Sequence, residues 1–493
     1  MTMDKLKILM AASEAGPYAR SGGLGDVIGA LPAALARLGH EVKVVLPRYA
    51  SINGAKHKFA VSIDSLAVPD IDGIAEVAVE RAGDSFPGVE NLFIGSSDYF
   101  GRPALYLDPK TGKDYEDNDL RFAFFSRAVL ELIRHLEWRP DVIHIHDWQA
   151  ALIPAYLKVH YRNDKTLAGC PSILTIHNLG YQGLFDGERF ENLDLAKQMF
   201  YAFTGAAEFY GKVSFLKAGI CLADKVTTVS PHYAREIQLS EEFGCGLQGV
   251  LADRSADLFG IINGVDYSIW SPKNDRLIAR RYSMTNLSGK RMNRLELLKR
   301  AGLPVRDKTP LLGMVTRLTA QKGVDLLIDA ADELFALDVQ MVILGAGDLI
   351  YQRALRKLER KYPRKLRVFL EFNDGLAHLI QAGADMFLMP SRYEPCGLNQ
   401  MYALRYGTVP VVRAVGGLVD TVIDYNPVTG QGTGFVFDEF TPEALLEALG
   451  RAFEHFRKRQ AWTKLMKAGM KVDFSWTASA HRYEALYRSL VVR

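Results

Sequence analysis

A short apolar run, a glycine-rich turn and a helical pattern follow one another at the start of the chain, and an alternation of apolar runs and helical stretches restarts near residue 310. Leu6–Ala12 has the density of apolar residues expected of a strand buried on both faces. It leads into Gly16-Pro17-Tyr18-Ala19-Arg20-Ser21-Gly22-Gly23-Leu24-Gly25. Ile28, Leu31, Leu35 and Leu38 then recur at helical spacing, Gly39 marks a stop, and Glu41–Leu46 reads as a second strand. Pro32, inside that helical pattern, predicts a kink or a split. A strand–helix–strand unit of this kind builds a parallel sheet. Phe122–Leu136 reads as an amphipathic helix, and Asp141–His146, Ser172–Ile176 and Lys225–Val229 read as strands. The second series has strands at Pro310–Val315, Val339–Leu344, Leu366–Leu370, Met386–Met389 and Val409–Val412, with a helix over Val324–Leu334. Trp476–Leu490 reads as a terminal helix with Tyr483, Leu486 and Leu490 on one face. The polar, turn-rich Asn263–Pro272 separates the two series as a linker. The expected fold class is therefore α/β, with two doubly wound halves and a cleft between them.

The bulk properties fit that reading. At about 150 residues per domain, 493 residues predict two to four domains. Hydrophobic residues at 48% and charged residues at 24% exclude disordered and low-complexity classes. A net charge of +3 gives no global argument for nucleic acid or a membrane surface as partner. No run of eighteen apolar residues occurs, so no membrane span is expected. Met1–Met10 carries no signal-peptide cleavage pattern. Cys170, Cys221, Cys245 and Cys396 are widely spaced, which favours a reducing, cytoplasmic setting over a disulfide framework.

In open parallel sheets ligands bind beyond the carboxyl ends of the strands, and the chemistry-bearing residues follow strands here. Arg20-Ser21-Gly22-Gly23 offers close backbone approach, a helix N-terminus and a guanidinium to an anion, or is simply a tight turn. In His144-Ile145-His146-Asp147, strand alternation puts both histidines on one face and Asp147 at the tip. That pair reads as cleft support, as a packed core His144, or as part of a metal site whose third ligand is missing; no metal is assigned. His177 and Asn178 follow the next strand, either to hydrogen-bond sugar hydroxyls or to cap the loop. Arg317 and Lys322 follow the first strand of the second half, a natural clamp for a diphosphate leaving group unless they are solvated surface charge. Arg392-Tyr393-Glu394-Pro395-Cys396-Gly397-Leu398 follows another strand and supplies an acid, Glu394. Cys396 has no adjacent base and is not taken as a nucleophile. Gly416-Gly417-Leu418-Val419-Asp420-Thr421 is a second glycine-rich strand-to-helix turn. One anion-friendly turn in each half argues for a nucleotide-diphosphate ligand.

The ordered set of motifs is more specific than any of its parts. It runs ASE at Ala12–Glu14, SGGLGDV at Ser21–Val27, HDWQA at His146–Ala150, TIHNLGYQG at Thr175–Gly183 and VSPHYAREI at Val229–Ile237. It continues with NGVD at Asn263–Asp266, TRLTAQKG at Thr316–Gly323, PSRYEPCGLNQ at Pro390–Gln400 and GGLVDT at Gly416–Thr421. With these motifs the chain resembles bacterial glycogen synthases and plant starch synthases, the retaining glucosyltransferases of GT-B type. The resemblance implies two Rossmann-like domains facing a central cleft, with the last helix crossing back to the first domain. It implies a catalytic domain over residues 1–262, a linker at 263–272, a nucleotide-sugar-binding domain over 273–475 and the returning helix at 476–493. It implies transfer of glucose from ADP-glucose to the 4-OH at the non-reducing end of glycogen or another α-1,4-glucan, with retention and no cofactor. Carried over position by position, Arg317 and Lys322 would bind the diphosphate, and Glu394 would hold hydroxyls of the donor glucose with the backbone of Cys396, Gly397 and Leu398. His177 and Asp147 would line the glucose pocket, while Arg20, Ser21, Gly22, Gly23, Asn263, Gly417 and Thr421 would complete the donor site. Retention is thought to proceed on one face, with the leaving phosphate helping to deprotonate the acceptor.

Three positions depart from the pattern. Arg20 stands where the family usually has Lys, replacing a point charge with a fork. Tyr402 stands where related retaining enzymes have a second Glu, and Gln149 where many members have His. The readings kept beside the leading one are a related transferase using UDP-glucose or a short maltooligosaccharide acceptor, and a non-catalytic glucan-binding relative. A phosphorylase with a pyridoxal cofactor has no support in the residues.

Overall fold

The computed structural model describes residues 4–202 and 204–491. The chain divides into two compact units. The first runs from the N-terminus to Val229, resumes over Ala234–Gly264, and includes the chain from Trp476 onward. The second comprises Val265–Ser475 together with Ser230–Tyr233.

The sheet of the first unit contains β1 (Lys7–Ala11), β2 (Glu41–Pro47), β3 (Ala60–Asp70), β4 (Gly73–Arg81), β5 (Val89–Ile94), β6 (Val142–His146) and β7 (Ser172–Ile176). After a small antiparallel sheet of β8 (Leu184–Asp186), β9 (Glu208–Phe209) and β10 (Lys212–Ser214), the main sheet gains β11 (Lys225–Thr228) and β12 (Leu258–Gly260). The strand order is β12-β11-β7-β6-β1-β2-β5-β4-β3. Only β4 breaks the parallel direction, pairing antiparallel with both β3 and β5. Ile8, Leu9, Met10 and Ala11 of β1 are buried, as the apolar run requires of a central strand.

The second unit has β13 (Leu311–Val315), β14 (Gln340–Leu344), β15 (Leu366–Phe369), β16 (Met386–Met389), β17 (Val409–Arg413) and β18 (Phe435–Phe437). Their order, β15-β14-β13-β16-β17-β18, is the doubly wound arrangement, with all pairs parallel. Its core joins strand residues such as Leu312, Ile343 and Val411 to Leu449, Leu465 and Trp462 of the covering helices.

Each sheet reverses its winding beside its first strand. In the first unit β1 lies between β2 and β6; in the second, β13 lies between β14 and β16. At such a switch point the loops on either side diverge and leave a crevice at the carboxyl ends of the strands.

Three local expectations are corrected. Of the two alternatives at Pro32, the split is not realised: the helix runs unbroken over Gly23–Arg37, with Pro32 buried beside Leu31, Ala34 and Leu35, and packing outweighs the lost hydrogen bond. The helix read as amphipathic from Phe122 starts at Asn118 and is buried on most sides, because Arg121 and Ser126 satisfy their polar atoms internally. The stretch Val324–Leu334 forms two short helices, Val324–Asp329 and Ala331–Ala336, broken at Ala330. The terminal helix Trp476–Leu490 packs in the first unit, where Ser479 Oγ donates to the Ile262 carbonyl (2.7 Å) and Tyr483 and Tyr487 are buried.

Candidate functional site

The first unit builds its constellation on the loops after β1, β6 and β7. The loop after β1 is organised by a carboxylate. Glu14, 4% exposed, accepts hydrogen bonds at Oε2 from the backbone N–H groups of Ser21 (2.6 Å) and Gly22 (3.2 Å). Its Oε1 accepts from Ser21 Oγ (2.6 Å) and from the Tyr106 hydroxyl (2.8 Å). The N–H groups of Ser21 and Gly22 thus already face a negative charge that belongs to the chain itself. Arg20 is half-exposed and donates to Asp26 Oδ1 (2.8 Å). Gly22 and Gly23 lie exposed at the start of the helix Gly23–Arg37, with open space where a Cβ would stand.

Asp147, at the carboxyl end of β6, has φ 56° and ψ −175°, a conformation uncommon for a residue with a side chain and often found at functional sites. Its N–H donates to the Thr175 carbonyl (2.9 Å), and its Oδ1 accepts the N–H of His177 (2.7 Å). Burial pushes its carboxyl up to about 7, with the negative charge of Glu14 adding in the same direction. His177 makes a ring-to-ring hydrogen bond through Nε2 to Nδ1 of His146 (3.0 Å). His144 lies with its ring centroid 4.0 Å from that of His146. Both of its nitrogens are engaged, Nδ1 with the Tyr487 hydroxyl (2.7 Å) and Nε2 with Thr175 Oγ1 (2.6 Å). Burial pushes His144 and His177 down to about 3, so both are neutral at physiological pH. The chain therefore uses its two strand histidines as a packed, hydrogen-bonded layer beneath His177. Asn178 caps its loop, with Oδ1 accepting the Gly180 N–H (3.0 Å). Asn263, after β12, is buried, and its Oδ1 has no partner among the described residues.

The second unit places its charged groups on both sides of its switch point. Arg317 is exposed just past β13, with a long contact from Nη2 to Gln321 Oε1 (3.3 Å). Lys322 reaches across to Glu394, which follows β16, and its Nζ donates to Oε1 (2.8 Å) and Oε2 (2.6 Å). Ser391 Oγ donates to Oε2 as well (3.0 Å). An ammonium has three N–H donors and a carboxylate about four acceptor sites, so each group retains capacity for a ligand.

The loop carrying Glu394 is held from behind. Gln400 Nε2 donates to the carbonyls of Cys396 (3.0 Å) and Gly397 (2.9 Å) and to Thr421 Oγ1 (3.1 Å). Thr421 is buried and donates in turn to the Gly417 carbonyl (2.6 Å). Gly417 donates its N–H to the Glu394 carbonyl (3.0 Å). Gly416 has φ 45°, and a Cβ there would stand 1.9 Å from the Glu394 carbonyl oxygen. The second glycine pair is thus required by close packing of two loops. Cys396 is buried, while Gly397 and Leu398 are partly exposed on the loop that enters the helix Asn399–Arg405. Tyr402 stacks on Trp270 at 4.0 Å, with 3° between the rings, and Trp270 stacks on His378 at 3.8 Å. An aromatic sandwich therefore occupies the position that carries a second acid in related enzymes.

Three residues of these constellations were missed by sequence reasoning as separate contributors, Glu14, Tyr106 and Gln400, and so was an exposed ring on another strand-end loop, Phe372. Phe372 stands just past β15 with 88% of its surface exposed. The signal for it is an apolar ring in a polar loop, directly before the helix cap Asn373, whose Oδ1 accepts the Leu376 N–H (2.9 Å).

Comparison with known proteins gives a consistent picture. Residues 7–253 match the family model described as starch synthase catalytic domain, and residues 297–468 match glycosyl transferases group 1. A glycogen synthase of Koribacter versatilis is 47% identical over 482 residues, covering 98% of each chain. Glycogen synthase 2 of Geobacter sulfurreducens is 44% identical over 492 residues, again covering 98% of each. Among solved structures, the catalytic domain of starch synthase IV from Arabidopsis thaliana, bound to ADP and acarbose, superposes with a TM-score of 0.90 at 33% identity. That match covers 99% of this chain and 100% of the other. A sucrose-phosphate synthase from Thermosynechococcus elongatus shares the fold, with a TM-score of 0.60 at 17% identity and 99% coverage of both chains.

Proposed function

The chain belongs to the glycogen synthase and starch synthase family of GT-B glycosyltransferases, and from that premise we propose how its two constellations work. The protein is a glucosyltransferase that moves glucose from ADP-glucose to the non-reducing 4-OH of glycogen or another α-1,4-glucan, with retention of configuration. The observation that carries the assignment of roles is the arrangement of Arg317, Lys322 and Glu394 across the switch point of the second unit.

In this reading the diphosphate lies against Arg317 and the remaining donor of Lys322. These two fixed cations offset the charge that grows on the leaving phosphate as its bond to the anomeric carbon breaks. Glu394, held by Lys322 and Ser391, offers its free acceptor capacity to hydroxyls of the donor glucose, with the backbone of Cys396, Gly397 and Leu398 alongside. Thr421 and Gly417 act from behind this loop. Phe372 offers an exposed aromatic face to the nucleobase. In the first unit, Asp147, His177 and the orphaned Oδ1 of Asn263 are the polar groups we assign to the sugar, and the loop Arg20-Ser21-Gly22-Gly23 is the part we assign to the donor phosphates. Because Glu14 already occupies the Ser21 and Gly22 N–H groups, the loop's charge contribution to the donor comes from Arg20 once it leaves Asp26. We place the enzyme in the cytoplasm, where a reducing medium keeps its four free cysteines as thiols. Among the described residues no helix is long and apolar enough to cross a membrane.

The test is nucleoside diphosphate release from ADP-glucose and from UDP-glucose, each with and without glycogen. The expected result is glycogen-dependent ADP release, with labelled glucose entering an α-1,4-glucan. Release from UDP-glucose alone would move the assignment to another donor. Glycogen binding with no release from either would make the protein a glucan-binding relative.

A further inference from the structure

The hydrogen bond between His146 and His177 constrains where the protons sit. Its two nitrogens, His146 Nδ1 and His177 Nε2, are 3.0 Å apart, so one carries the hydrogen and the other accepts it. Two neutral arrangements satisfy that bond. In the first, His146 donates from Nδ1; its Nε2 is then a bare lone pair, and His177 carries its own hydrogen on Nδ1. In the second, His177 donates from Nε2; His146 must then carry its hydrogen on Nε2, and His177 Nδ1 is bare.

The surroundings of His146 choose between them. Its ring is fully buried, and its Nε2 has no hydrogen-bond partner among the described residues. The adjacent ring of His144 cannot serve it, since both nitrogens of His144 are taken by Tyr487 and Thr175. The second arrangement would bury an N–H donor with nothing to receive it, a feature that folded proteins rarely tolerate. The first leaves only an under-used acceptor. The backbone of His177 is fixed independently, by the bond from its N–H to Asp147 Oδ1. The residue is partly exposed, and Nδ1 has no partner among the described residues.

We infer that His146 is a positioning residue that fixes His177 in the Nδ1–H tautomer, so that His177 meets the transferred sugar as a hydrogen-bond donor to one of its oxygens. This rests on the assignment of His177 to the glucose-binding group above. It also means that His177 does not serve as a proton acceptor, since its one basic nitrogen is occupied by His146.

The experiment has two arms. In the first, 15N-histidine-labelled wild-type protein is examined by long-range 1H–15N NMR, with His177 assigned by its loss in His177→Gln. The expected pattern at neutral pH is a protonated Nδ1 and a bare Nε2 on His177; a protonated Nε2 overturns the inference. The second arm compares His146→Asn, whose side-chain amide can place an N–H where Nδ1 stood, with His146→Leu, which cannot. The expected result is a loss of kcat/KM for ADP-glucose of about ten-fold in His146→Leu, the worth of one hydrogen bond. Inhibition by ADP, which lacks the sugar, should be unchanged, and His146→Asn should recover most of the loss. Equal losses in both variants, or a parallel loss of ADP inhibition, would assign His146 a merely structural role. If the wild-type protein shows no glycogen-dependent ADP release, the functional reading fails, and the 15N pattern still decides the tautomer.

Discussion

Glu14 is the test of whether the glycine-rich loop is held by its own glycines or by a carboxylate beneath it. Four hydrogen bonds converge on Glu14, two from backbone N–H groups and two from hydroxyls. A hydrogen bond to a charged group contributes about 1.5–3 kcal/mol, but these four share one side chain and do not add. Ser21 and Gly22 are exposed, so water can replace the carboxylate there, and the Tyr106 hydroxyl keeps a contact with Ser13 Oγ (2.7 Å). Glu14→Ala should therefore cost on the order of 2–4 kcal/mol, well below the simple sum. Glu14→Gln keeps the shape and one acceptor oxygen, which can still receive the two backbone N–H groups. Its cost should be about 1–2 kcal/mol. The assay is the urea midpoint, paired with kcat/KM for ADP-glucose, because a displaced loop should lower the latter by about 10- to 100-fold in the Ala variant. An Ala variant with the wild-type midpoint and wild-type kinetics would refute the reasoning and leave the loop to the packing of the helix Gly23–Arg37. Equal damage from Gln and Ala would show that the negative charge, and not the acceptor geometry, is what the loop needs.

Asp147→Asn should lose activity yet gain stability at high pH. With a native carboxyl pushed up to about 7, against about 3.9 in an unfolded chain, the native state holds a proton that the unfolded state has shed between those values. The resulting penalty grows as pH rises from about 4 to 7 and is complete above that range, so Asn should stabilise at pH 8 and be nearly neutral at pH 4. Urea midpoints that shift equally at both pH values would contradict this. Glu394→Ala should abolish most turnover and also destabilise the fold by about 2–4 kcal/mol, because Lys322, 17% exposed at its side chain, loses both of its acceptor contacts. Near-normal turnover would remove Glu394 from the site. Phe372→Ala should raise KM for ADP-glucose by roughly ten-fold, the worth of stacking one base, with kcat and the urea midpoint unchanged because the ring is exposed. An unchanged KM would place the nucleobase elsewhere.

The parts of this molecule that were legible in the sequence are those in which neighbours in the chain are neighbours in space. Strands buried on both faces appear as apolar runs, and the turn after each one carries its glycines and charges within a few residues. The loop at Arg20–Gly23, the tip at Asp147 and the strand ends before Arg317 and Glu394 could therefore be located, whereas the switch points, which depend on strand order, could not. Helix interruptions were not legible, because they depend on packing. Pro32 is carried by the buried residues around it, while Ala330, with no helix breaker in sight, ends a helix.

What the sequence could not reveal is partnership: several of the bonds that shape both constellations join residues far apart in the chain, and nearer pairs such as Arg20–Asp26 and Glu14–Ser21 show as no pairing in the sequence. Glu14 and Tyr106 are 92 positions apart, Lys322 and Glu394 are 72 apart, and His144 and Tyr487 are 343 apart. Each candidate cation or acid therefore looked available in the sequence, whereas in the fold most are already neutralised by another member of the site. Arg20 faces Asp26, Lys322 faces Glu394, and the loop N–H groups face Glu14. On the proposed reading, a donor diphosphate competes with these internal anions or is accommodated beside them. The two arrangements differ in a measurable way. Where a substrate phosphate displaces a carboxylate, removing that carboxylate lowers the cost of binding; where the phosphate sits beside it, removal costs both order and affinity. Arg20 and Asp26 are the exposed pair and fit displacement, so Asp26→Asn should lower KM for ADP-glucose. Lys322 and Glu394 are the buried pair, with unused donor and acceptor capacity, and fit accommodation, so Glu394→Gln should raise it. The same sign of change in both variants would mean that one of the two pairs has been assigned the wrong relation to the donor.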